Sequence, residues 1–488
     1  MQRTRIAIIG GGPGGLMTAH LLGERGAFPK AITLFEASGR LGGKVKTTEF
    51  RSAPVRYEAG AAELYDYSQL GPDPLRELVH DLGLTTHDMG GDAVVMNGHV
   101  LRTFDDIRAA FGEATCRALR GFEWRGCSSI SPASYYESDW QLDNANRLSK
   151  MSFAALLDEL QDESARRYVE IALHSDMATE AEKTTALYGL QNYLMNLSQY
   201  MRLYTIEGGI ERLTQGLADR IHANADVEVR LRQPVTSVER TEDGKYLVSV
   251  SLDGSTVHDE FDFVVVALPN NWIPLIEWRG ETLSRAMREH SAHYAAPAHY
   301  LRVSVLFDHP FWRDQISDSY FMSDAFGGCC VYDESSRNGS ESHGVLGWLL
   351  AGDAALTMSN LDDETLVTRV LDSLPSSLRH GKEAFVEARV HRWLGAVNGL
   401  PGGAVQRDPD ARHVPDPDHH PQLFVVGDYL FDSTINGVLD SADTVAEWIV
   451  EEMSDEESTG IPIPDQSGVH AFLVDSTEDD LPVQRRMG

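Results

Sequence analysis

A run of glycines placed between a short apolar strand and a helix restricts this chain more than any other feature. Residues 5–9 are rich in isoleucine and lead directly into Gly10-x-Gly12-x-x-Gly15, after which an apolar helical stretch begins. Glycines in this setting let a pyrophosphate approach the backbone, and the helix N-terminus offers it free N–H groups. Glu36 ends the next apolar run, where its carboxylate can accept hydrogen bonds from ribose hydroxyls. Together these features predict a βαβ unit that binds a dinucleotide.

A second glycine pair follows Glu36 and bears on which dinucleotide is bound. The sequence places Arg40 and Lys44 on either side of Gly42 and Gly43. Glycines let a ligand approach the backbone closely, and the two cations beside them can attract phosphate groups. The loop thus offers a second contact to a long cofactor with two phosphates, which favours FAD over NAD. The same four residues, taken alone, fit a solvated basic turn equally well.

The remaining pattern predicts an α/β fold with more than one domain. Beyond residue 71 the chain is mostly helical up to about 204, and strand-like runs then dominate, several of them apolar throughout. We expect a doubly wound, Rossmann-like FAD-binding domain built from three chain segments, with an inserted α+β substrate domain that carries a helical subdomain. The predicted boundaries are 1–71, 204–270 and 395–453 for the FAD-binding domain, and 72–203 and 271–394 for the substrate-binding domain.

Local patterns predict two helices and the character of the C-terminal segment. Helical periodicity predicts one helix over 153–172 and a C-terminal helix over about 439–453. Acidic residues accompanied by Gly, Pro and Ser dominate 454–488. This composition predicts an acidic, disordered tail.

Charge and cysteine content narrow the partners and the compartment. The formal net charge is −32, from 74 acidic and 42 basic residues, which argues against nucleic acid or a membrane surface as a partner. No apolar run is long enough to span a bilayer. The four cysteines form neither a disulfide framework nor a zinc-binding spacing, so a cytoplasmic location and no metal are expected. The adjacent Cys329 and Cys330 fit buried small hydrophobic residues better than a redox pair.

The order of motifs along the chain resembles the flavin-containing amine oxidase superfamily, which includes monoamine, polyamine and L-amino-acid oxidases. The shared features are the glycine fingerprint, Glu36, RxGGK, a helix after EGG, a strand ending in ALP, the run VSVLFDHPFW and the C-terminal VVGD. They cover nearly the whole chain up to about Met453. Phytoene desaturases and protoporphyrinogen oxidases resemble the chain more distantly. The resemblance implies the same two-domain fold with FAD as the cofactor.

Carried over residue by residue, the resemblance assigns FAD contacts at both ends of the chain. The implied contacts are Gly10, Gly12, Gly15, Arg40, Gly42, Gly43 and Lys44 for the phosphates, Glu36 and the backbone of Val235 for the adenosine, Gly427 and Asp428 for the ribityl chain and phosphate, and Gly60, Ala61, Ala62, Gly437, Val438 and Leu439 for the flavin ring. The last three are expected at a helix N-terminus that faces the flavin N1 and C2 carbonyl. Relatives usually have arginine where Lys44 stands. Lysine keeps the positive charge of that arginine but cannot make the paired, bidentate hydrogen bonds of a guanidinium group. No cysteine lies between Val397 and Asp432, where monoamine oxidases attach their flavin, so the FAD is expected to be non-covalent.

Two departures from the family bear on the reaction. Where L-amino-acid oxidases place an arginine for the substrate carboxylate, this chain aligns Glu63, which would attract an ammonium by up to about 4 kcal/mol at 4 Å. A structural or exposed role for Glu63 is equally open. Where relatives often place a lysine linked through water to flavin N5, the chain has Arg302, which stays protonated and cannot act as a base. A dehydrogenase or desaturase with an electron acceptor other than oxygen is therefore open.

A third departure concerns the substrate cavity. The aromatic residue that many relatives place beside the flavin is replaced here by Gly437 or Val438. Trp393 and Tyr429 could compensate, although each also fits core packing. His174 could face the cavity from the helical segment, although a satisfied interior or surface histidine fits this position better.

The sequence as a whole predicts an FAD-dependent oxidoreductase. The expected reaction is oxidation of a C–N bond in a small amine, with a cationic amine favoured, by hydride transfer to flavin N5. Glu63 and Arg302 are the candidate catalytic residues, and the sequence leaves the oligomeric state open. Two alternatives remain: a desaturase or dehydrogenase of an apolar or ring-containing metabolite, and a non-catalytic flavoprotein that binds a basic partner.

Overall fold

The structure is a computed structural model of the 488-residue chain, and it describes residues 3–26, 29–91, 93–138, 147–252, 254–338 and 342–459. From position 460 onward the predicted acidic tail lies outside the described residues. Within the described ranges, no helix is both long enough and apolar enough to cross a membrane.

Strands and helices alternate over most of the chain. The strands are β1 (Thr4–Ile9), β2 (Lys30–Glu36), β3 (Thr47–Glu49), β4 (Arg56–Glu58), β5 (Leu64–Asp66), β6 (Thr86–Met89), β7 (Val94–Met96), β8 (His99–Leu101), β9 (Arg202–Ile206), β10 (Val227–Leu231), β11 (Val235–Arg240), β12 (Tyr246–Leu252), β13 (Ser255–Phe261), β14 (Phe263–Val266), β15 (Glu277–Arg279), β16 (Pro297–Phe307), β17 (Tyr320–Ser323), β18 (Cys329–Asp333), β19 (Gly344–Ala351), β20 (Phe385–Asn398) and β21 (Leu423–Val425). The helices are α1 (Pro13–Glu24), α2 (Pro74–Asp81), α3 (Phe104–Phe111), α4 (Glu113–Ser129), α5 (Pro132–Glu137), α6 (Phe153–Leu157), α7 (Glu163–Met177), α8 (Ala186–Met195), α9 (Glu211–Ala223), α10 (Glu281–His293), α11 (Gly352–Met358), α12 (Asp363–Asp372), α13 (Pro409–His413) and α14 (Ile435–Thr459).

A parallel sheet assembled from three distant parts of the chain carries the glycine loop. Its strand order is β10-β2-β1-β14-β21, and neighbouring strands are parallel. The apolar β14 is buried along its whole length, as a strand covered on both faces should be. One face packs against α1, α9 and α14, and the other against α10 and the sheet β13-β12-β11-β15. The three segments predicted to build the FAD-binding domain therefore share one sheet, while the domain boundaries stay a prediction.

A second large sheet carries two of the candidate residues, Arg302 on β16 and Trp393 on β20. Its strand order is β20-β16-β19-β18-β17-β7-β8, and β16 pairs antiparallel with both β19 and β20. Helices α4, α7 and α8 share a hydrophobic core with β18. Cys329 and Cys330 lie in β18 as buried free thiols, and burial raises the pKa of Cys329 to about 12. The pair is therefore buried, as predicted.

Two helix predictions were wrong at their boundaries. The single helix predicted over 153–172 is two helices, α6 and α7, because the side chain of Asp162 accepts the backbone N–H of Ala165 at 2.9 Å and starts a new helix. The C-terminal helix begins at Ile435 rather than near 439 and continues to Thr459. The first residues assigned to the disordered tail, 454–459, are therefore helical.

Candidate active site

The glycine fingerprint forms a tight turn between β1 and α1. Gly10 has φ +114°, and its N–H donates to the carbonyl of Phe35 at 2.8 Å. A Cβ on Gly15 would lie 1.9 Å from the carbonyl oxygen of Gly10, so only glycine lets the helix approach the turn. A Cβ on Gly12, by contrast, would meet only the Cα of Gly43, at 3.9 Å, among the described residues. The space beside Gly12 at the N-terminus of α1 is therefore open, as a bound pyrophosphate requires.

Glu36 is held beside this turn by backbone N–H groups. Its two carboxylate oxygens accept from Gly11 at 2.9 Å and from Ser38 at 2.7 Å. Each oxygen keeps a further lone pair that can accept a hydroxyl. Val235 begins β11 close by, because Gln233 donates its N–H to the Glu36 carbonyl at 3.0 Å. The two residues predicted to contact the adenosine thus lie near each other, at the end of β2 and at the start of β11.

The two cations of the RxGGK loop have different partners. Arg40 donates to backbone carbonyls of its own loop and lies 3.3 Å from Glu211, so its guanidinium fixes the loop to α9. Gly42 has φ +103° and turns the loop. The Lys44 ammonium lies 3.3 Å from the carboxylate of Asp428. Lys44 and Asp428 are 384 residues apart in the sequence, and the structure brings them into an ion pair.

The segment predicted to lie under the flavin follows β4. A Cβ on Gly60 would lie 1.8 Å from the carbonyl oxygen of Lys44, so only glycine allows this packing. Ala61 is half-buried and Ala62 is buried. The carbonyl of Ala62 accepts a hydrogen bond from Arg337 at 2.6 Å. The segment is therefore anchored on one side by the basic loop and on the other by a buried arginine.

The C-terminal part of the predicted flavin site belongs to the first turn of α14. Gly427 precedes it and donates its N–H to a serine hydroxyl at 3.1 Å. The N–H of Gly437 donates to the hydroxyl of Thr434 at 3.0 Å, and that of Val438 donates to the Thr434 carbonyl at 3.1 Å. Val438 and Leu439 are buried in the core around α1. Because the helix starts earlier than predicted, the N–H of Val438 already makes a helical hydrogen bond, and the N–H groups of the first turn that lack a helical partner end at Gly437.

Four charged side chains form a network in the interior behind these segments. Arg302 on β16 pairs with Glu334, and the two side chains are 1% and 0% exposed. Glu334 also accepts the backbone N–H of Glu58 at 2.8 Å, and Arg337 lies 3.3 Å from the Glu58 carboxylate. Burial raises the pKa of Glu58 to about 7, although Arg337 opposes the shift. The negative charges of two carboxylates and the positive charges of two guanidinium groups thus compensate one another in an interior from which water is excluded.

This network fixes Arg302, one of the two candidate catalytic residues. Its guanidinium lies 4.9 Å from the ring centroid of Tyr332 in addition to its ion pair with Glu334. An arginine held by a buried carboxylate keeps its proton. The structure therefore supports a positioning role for Arg302 and gives it no route to act as a base.

Glu63 lies beside the network. Burial raises the pKa of Glu63, while a hydrogen bond to Tyr332 and attraction by Arg302 and Arg337 partly oppose this. Its Oε2 atom is buried and has no hydrogen-bond partner among the residues that the structure describes. Such an acceptor matches a ligand that brings its own N–H donor.

Tyrosines and a second acid surround Glu63. Asp176 on α7 accepts a hydrogen bond from Asn196 at 2.7 Å. Burial and repulsion from Glu63, with Asn196 opposing, raise the pKa of Asp176 to about 7. The tyrosines whose pKa is raised by burial and by charges in this cluster are Tyr65, Tyr188, Tyr300 and Tyr332. Two carboxylates among aromatic rings can hold a cation.

Sequence reasoning found Glu63 and Arg302 but missed their neighbours. Asp176 lies in an ordinary amphipathic helix, and Glu334 and Arg337 follow β18 with no motif that connects them to Arg302. The three-residue spacing of Glu334 and Arg337 is a weak signal for an ion pair, which here has N and O atoms 3.8 Å apart. No sequence signal indicates that these residues meet Glu63.

The other candidates from the sequence contact the protein itself. His174 is a satisfied interior histidine, with its Nε2 3.1 Å from Glu180. Tyr429 is buried in the core, and Trp393 donates its indole N–H to the carbonyl of Ala59 at 2.6 Å. Within the described part of the chain, no group of His, Cys, Asp and Glu has the arrangement of a metal site.

Comparison with known proteins identifies the family to which this chain belongs. A family model described as flavin containing amine oxidoreductase matches residues 13–450. The chain belongs to this family. The prediction of an FAD-dependent oxidoreductase is thereby confirmed. The residues of this amine oxidoreductase fit FAD, because Gly12 leaves space for a pyrophosphate at the N-terminus of α1 and the Glu36 carboxylate lies beside the same turn, 2.9 Å from the N–H of Gly11.

Curated relatives are identical to this amine oxidoreductase at about a quarter of the aligned positions. Amine oxidase [flavin-containing] A of Canis lupus familiaris is 25% identical over 290 residues, which are 57% of this chain and 51% of the relative. The same enzyme of Equus caballus is 23% identical over 359 residues, 71% of this chain and 64% of the relative. The chain therefore spans half to two thirds of the length of these relatives.

Solved structures share the fold over nearly the whole chain. Cyclohexylamine oxidase from Brevibacterium oxydans IH-35A superposes with a TM-score of 0.71 at 19% identity, covering 93% of this chain and 100% of the other. Wild-type putrescine oxidase bound to putrescine gives 0.68 at 20% identity, with 92% and 99% covered. The two-domain α/β fold predicted from the sequence is confirmed.

Proposed function

We propose that the enzyme oxidises a C–N bond of a small cationic amine that binds at Glu63. The observation that carries the proposal is the buried Glu63 Oε2, which has no hydrogen-bond partner among the described residues and lies beside Asp176. A carboxylate substrate would be repelled by both acids, whereas an ammonium would be attracted. Solved structures of the same fold include oxidases named for cyclohexylamine and putrescine.

The residues of the chain would bind the amine and prepare it for reaction. FAD, when bound, accepts the two electrons that leave the carbon next to nitrogen. That step needs a neutral nitrogen, so the bound ammonium must first lose a proton. Glu63 suits this task because burial raises its pKa and makes it a stronger proton acceptor than an exposed glutamate. Arg302, paired with Glu334, holds the neighbouring charges in place.

Replacement of Glu63 by glutamine should weaken amine oxidation without loss of FAD. Removing one charge near a bound ammonium is expected to lower kcat/KM by about 10- to 1,000-fold, since the attraction reaches about 4 kcal/mol at 4 Å. The measurement is the rate of anaerobic flavin reduction against amine concentration in the purified holoenzyme. Glu49→Gln, which changes an exposed glutamate on β3, is the matched control. Unchanged kcat/KM in Glu63→Gln would show that the substrate binds elsewhere.

The pH dependence of cation binding should reflect the protonation of the Asp176 carboxyl group. Its pKa of about 7 means that the carboxylate is half-protonated near neutrality, so affinity for a cation should rise as pH increases through this value. Tetramethylammonium is the probe because its own charge does not change with pH. We expect its Kd, measured from the perturbed flavin absorbance, to fall several-fold between about pH 6 and 8. This step should vanish in Asp176→Asn, and its survival there would assign it to another group.

A further inference from the structure

The imidazole ring of His174 joins the end of α7 to the starts of β18 and α11. His174 lies in the last turn of α7 and is 6% exposed. Its Nδ1 lies 2.8 Å from the carbonyl oxygen of Gly328, which directly precedes β18. Its Nε2 lies 3.1 Å from both carboxylate oxygens of Glu180. Glu180 in turn accepts the backbone N–H of Asp353 at 2.8 Å, in the first turn of α11.

These contacts require the doubly protonated form of the ring. A carbonyl and a carboxylate only accept hydrogen bonds, so both ring nitrogens of His174 must carry a proton. Burial favours the neutral form, but the hydrogen bond to Glu180 and the attraction of its charge outweigh burial and raise the pKa of His174. The same contact lowers the pKa of Glu180. Of the other charges nearby, Arg167 on the same helix opposes the protonation, while Lys183 and Asp353 form an ion pair beyond Glu180.

Glycines allow the backbone to pack closely around this ring. A Cβ on Gly328 would lie 2.9 Å from the Cβ of His174. A Cβ on Gly352 would lie 2.4 Å from a carboxylate oxygen of Glu180 and 3.0 Å from Nε2 of His174. Both glycines have positive φ, +136° and +58°, which disfavours any other residue there. The backbone therefore encloses the ring on two sides and fixes its position.

The two residues that follow His174 reach the candidate active site. The carbonyl of Ser175 accepts the hydroxyl of Tyr300 at 2.7 Å. Asp176 belongs to the acidic cluster, where burial and repulsion from Glu63 raise its pKa to about 7. The position of the end of α7 therefore decides how Asp176 faces Glu63.

The carbonyl on the other side of the ring is connected to the same site. Gly328 leads into β18, and Tyr332 on that strand makes a hydrogen bond to Glu63. The hydrogen bond from Nδ1 of His174 to Gly328 thus ties α7, which carries Asp176, to the strand that carries Tyr332.

We infer that His174 is a positioning residue for cation binding: its ring, hydrogen-bonded to Gly328 and Glu180, holds the end of α7 against β18 and so keeps Asp176 next to Glu63. Both ring nitrogens are used by the protein, so His174 acts through Asp176 and not on the substrate. This inference rests on the proposed function and adds to it the residue that maintains the placement of the two acids.

Replacement of His174 by leucine tests the inference in the holoenzyme. Leucine is similar in volume but has no donor, so both hydrogen bonds are lost. We expect the Kd of tetramethylammonium, measured from the perturbed flavin absorbance at constant pH, to rise at least about tenfold, because Asp176 is no longer held next to Glu63. KM for a reducing amine should rise by a similar factor, while kcat should change by less than about threefold.

Asparagine and glutamine at position 174 separate the two hydrogen bonds. The amide nitrogen of asparagine takes the place of ring Nδ1, and that of glutamine takes the place of ring Nε2. Because the connection to β18 runs through Gly328, His174→Asn should keep the Kd within about threefold of the wild-type value, whereas His174→Gln should raise it about tenfold. Both variants keep a polar side chain, so this pair still tests the inference if His174→Leu fails to fold.

Asp162→Ala is the matched control, because it destabilises the same helix at its other end. It removes the carboxylate that accepts the N–H of Ala165 at 2.9 Å. At 1.5 Å per residue, this cap lies roughly 21 Å from Asp176 along the helix. The control should lower the melting temperature, as His174→Leu does, but leave the Kd of tetramethylammonium unchanged.

The outcomes separate the two proposals. If tetramethylammonium leaves the wild-type flavin spectrum unchanged and no amine reduces the flavin, the proposed function itself fails. If the wild-type enzyme binds the cation and His174→Gln binds it as tightly as His174→Asn does, the positioning role is refuted while amine oxidation stands. A Kd raised as much by Asp162→Ala as by His174→Leu would refute it equally, because general destabilisation of α7 would then explain the effect.

Discussion

Alanine at Gly12 is expected to remove FAD from a chain that still folds. In the structure, a Cβ at this position meets only the Cα of Gly43, at 3.9 Å, among the described residues, so the protein itself tolerates the methyl group. The methyl group would occupy the space at the N-terminus of α1 where a pyrophosphate must approach. We expect Kd for FAD to rise by at least about 100-fold, or about 2.7 kcal/mol, as measured by retention of flavin absorbance on gel filtration.

Two further alanine variants serve as references for this result. Gly15→Ala places a Cβ 1.9 Å from the Gly10 carbonyl, so it should damage both the fold and FAD binding. Gly121→Ala lies within α4, where the nearest atom is an arginine side chain at 3.5 Å, and should leave FAD binding intact. If Gly12→Ala retains FAD as tightly as Gly121→Ala does, the pyrophosphate does not lie at this turn.

Glutamine at Glu334 is expected to destabilise the protein by about 3–5 kcal/mol. The substitution leaves Arg302 and Arg337 facing one buried carboxylate, Glu58, instead of two. An uncompensated charge in the interior has no water to stabilise it. We expect the melting temperature of the holoenzyme to fall by roughly 3–5 °C in differential scanning calorimetry.

A double variant and an exposed pair test the cause of this loss. Arg302→Met combined with Glu334→Gln restores the charge balance, so the pair should be less destabilising than the sum of the single changes. Glu277→Gln removes the partner of Arg279 in an exposed ion pair with atoms 3.0 Å apart, and no measurable change is expected. Equal losses of stability for Glu334→Gln and Glu277→Gln would mean that the buried network stabilises the protein no more than an exposed ion pair does.

The fold and the cofactor were predictable because their signals are local. The strand, the glycine turn and the helix around Gly10, Gly12 and Gly15 are contiguous in the sequence. A strand buried on both faces, such as β14, is an unbroken run of apolar residues. The predicted start of α14, near residue 439, is four residues too late, since the helix begins at Ile435. In the structure the hydroxyl of Thr434 caps this helix, accepting the Gly437 N–H at 3.0 Å.

The surroundings of Glu63 could not be predicted, because they depend on tertiary contacts. Glu334 lies 32 residues from Arg302 in sequence, and only the pairing of β16, β19 and β18 brings them together. Asp176 reaches the cluster from a helix whose sequence shows only ordinary amphipathic periodicity. The sequence therefore identified an unusual acid at position 63, and the structure supplies its environment.

Anaerobic mixing of the purified holoenzyme with single substrates tests the central claim most directly. Cationic amines, a free amino acid and a non-amine polyene or ring compound would each be mixed with oxidised enzyme while flavin absorbance is followed. The account predicts bleaching with at least one cationic amine and none with the free amino acid, because Glu63 and Asp176 repel its carboxylate. Bleaching by the polyene or ring compound alone, with every amine inert, would contradict it.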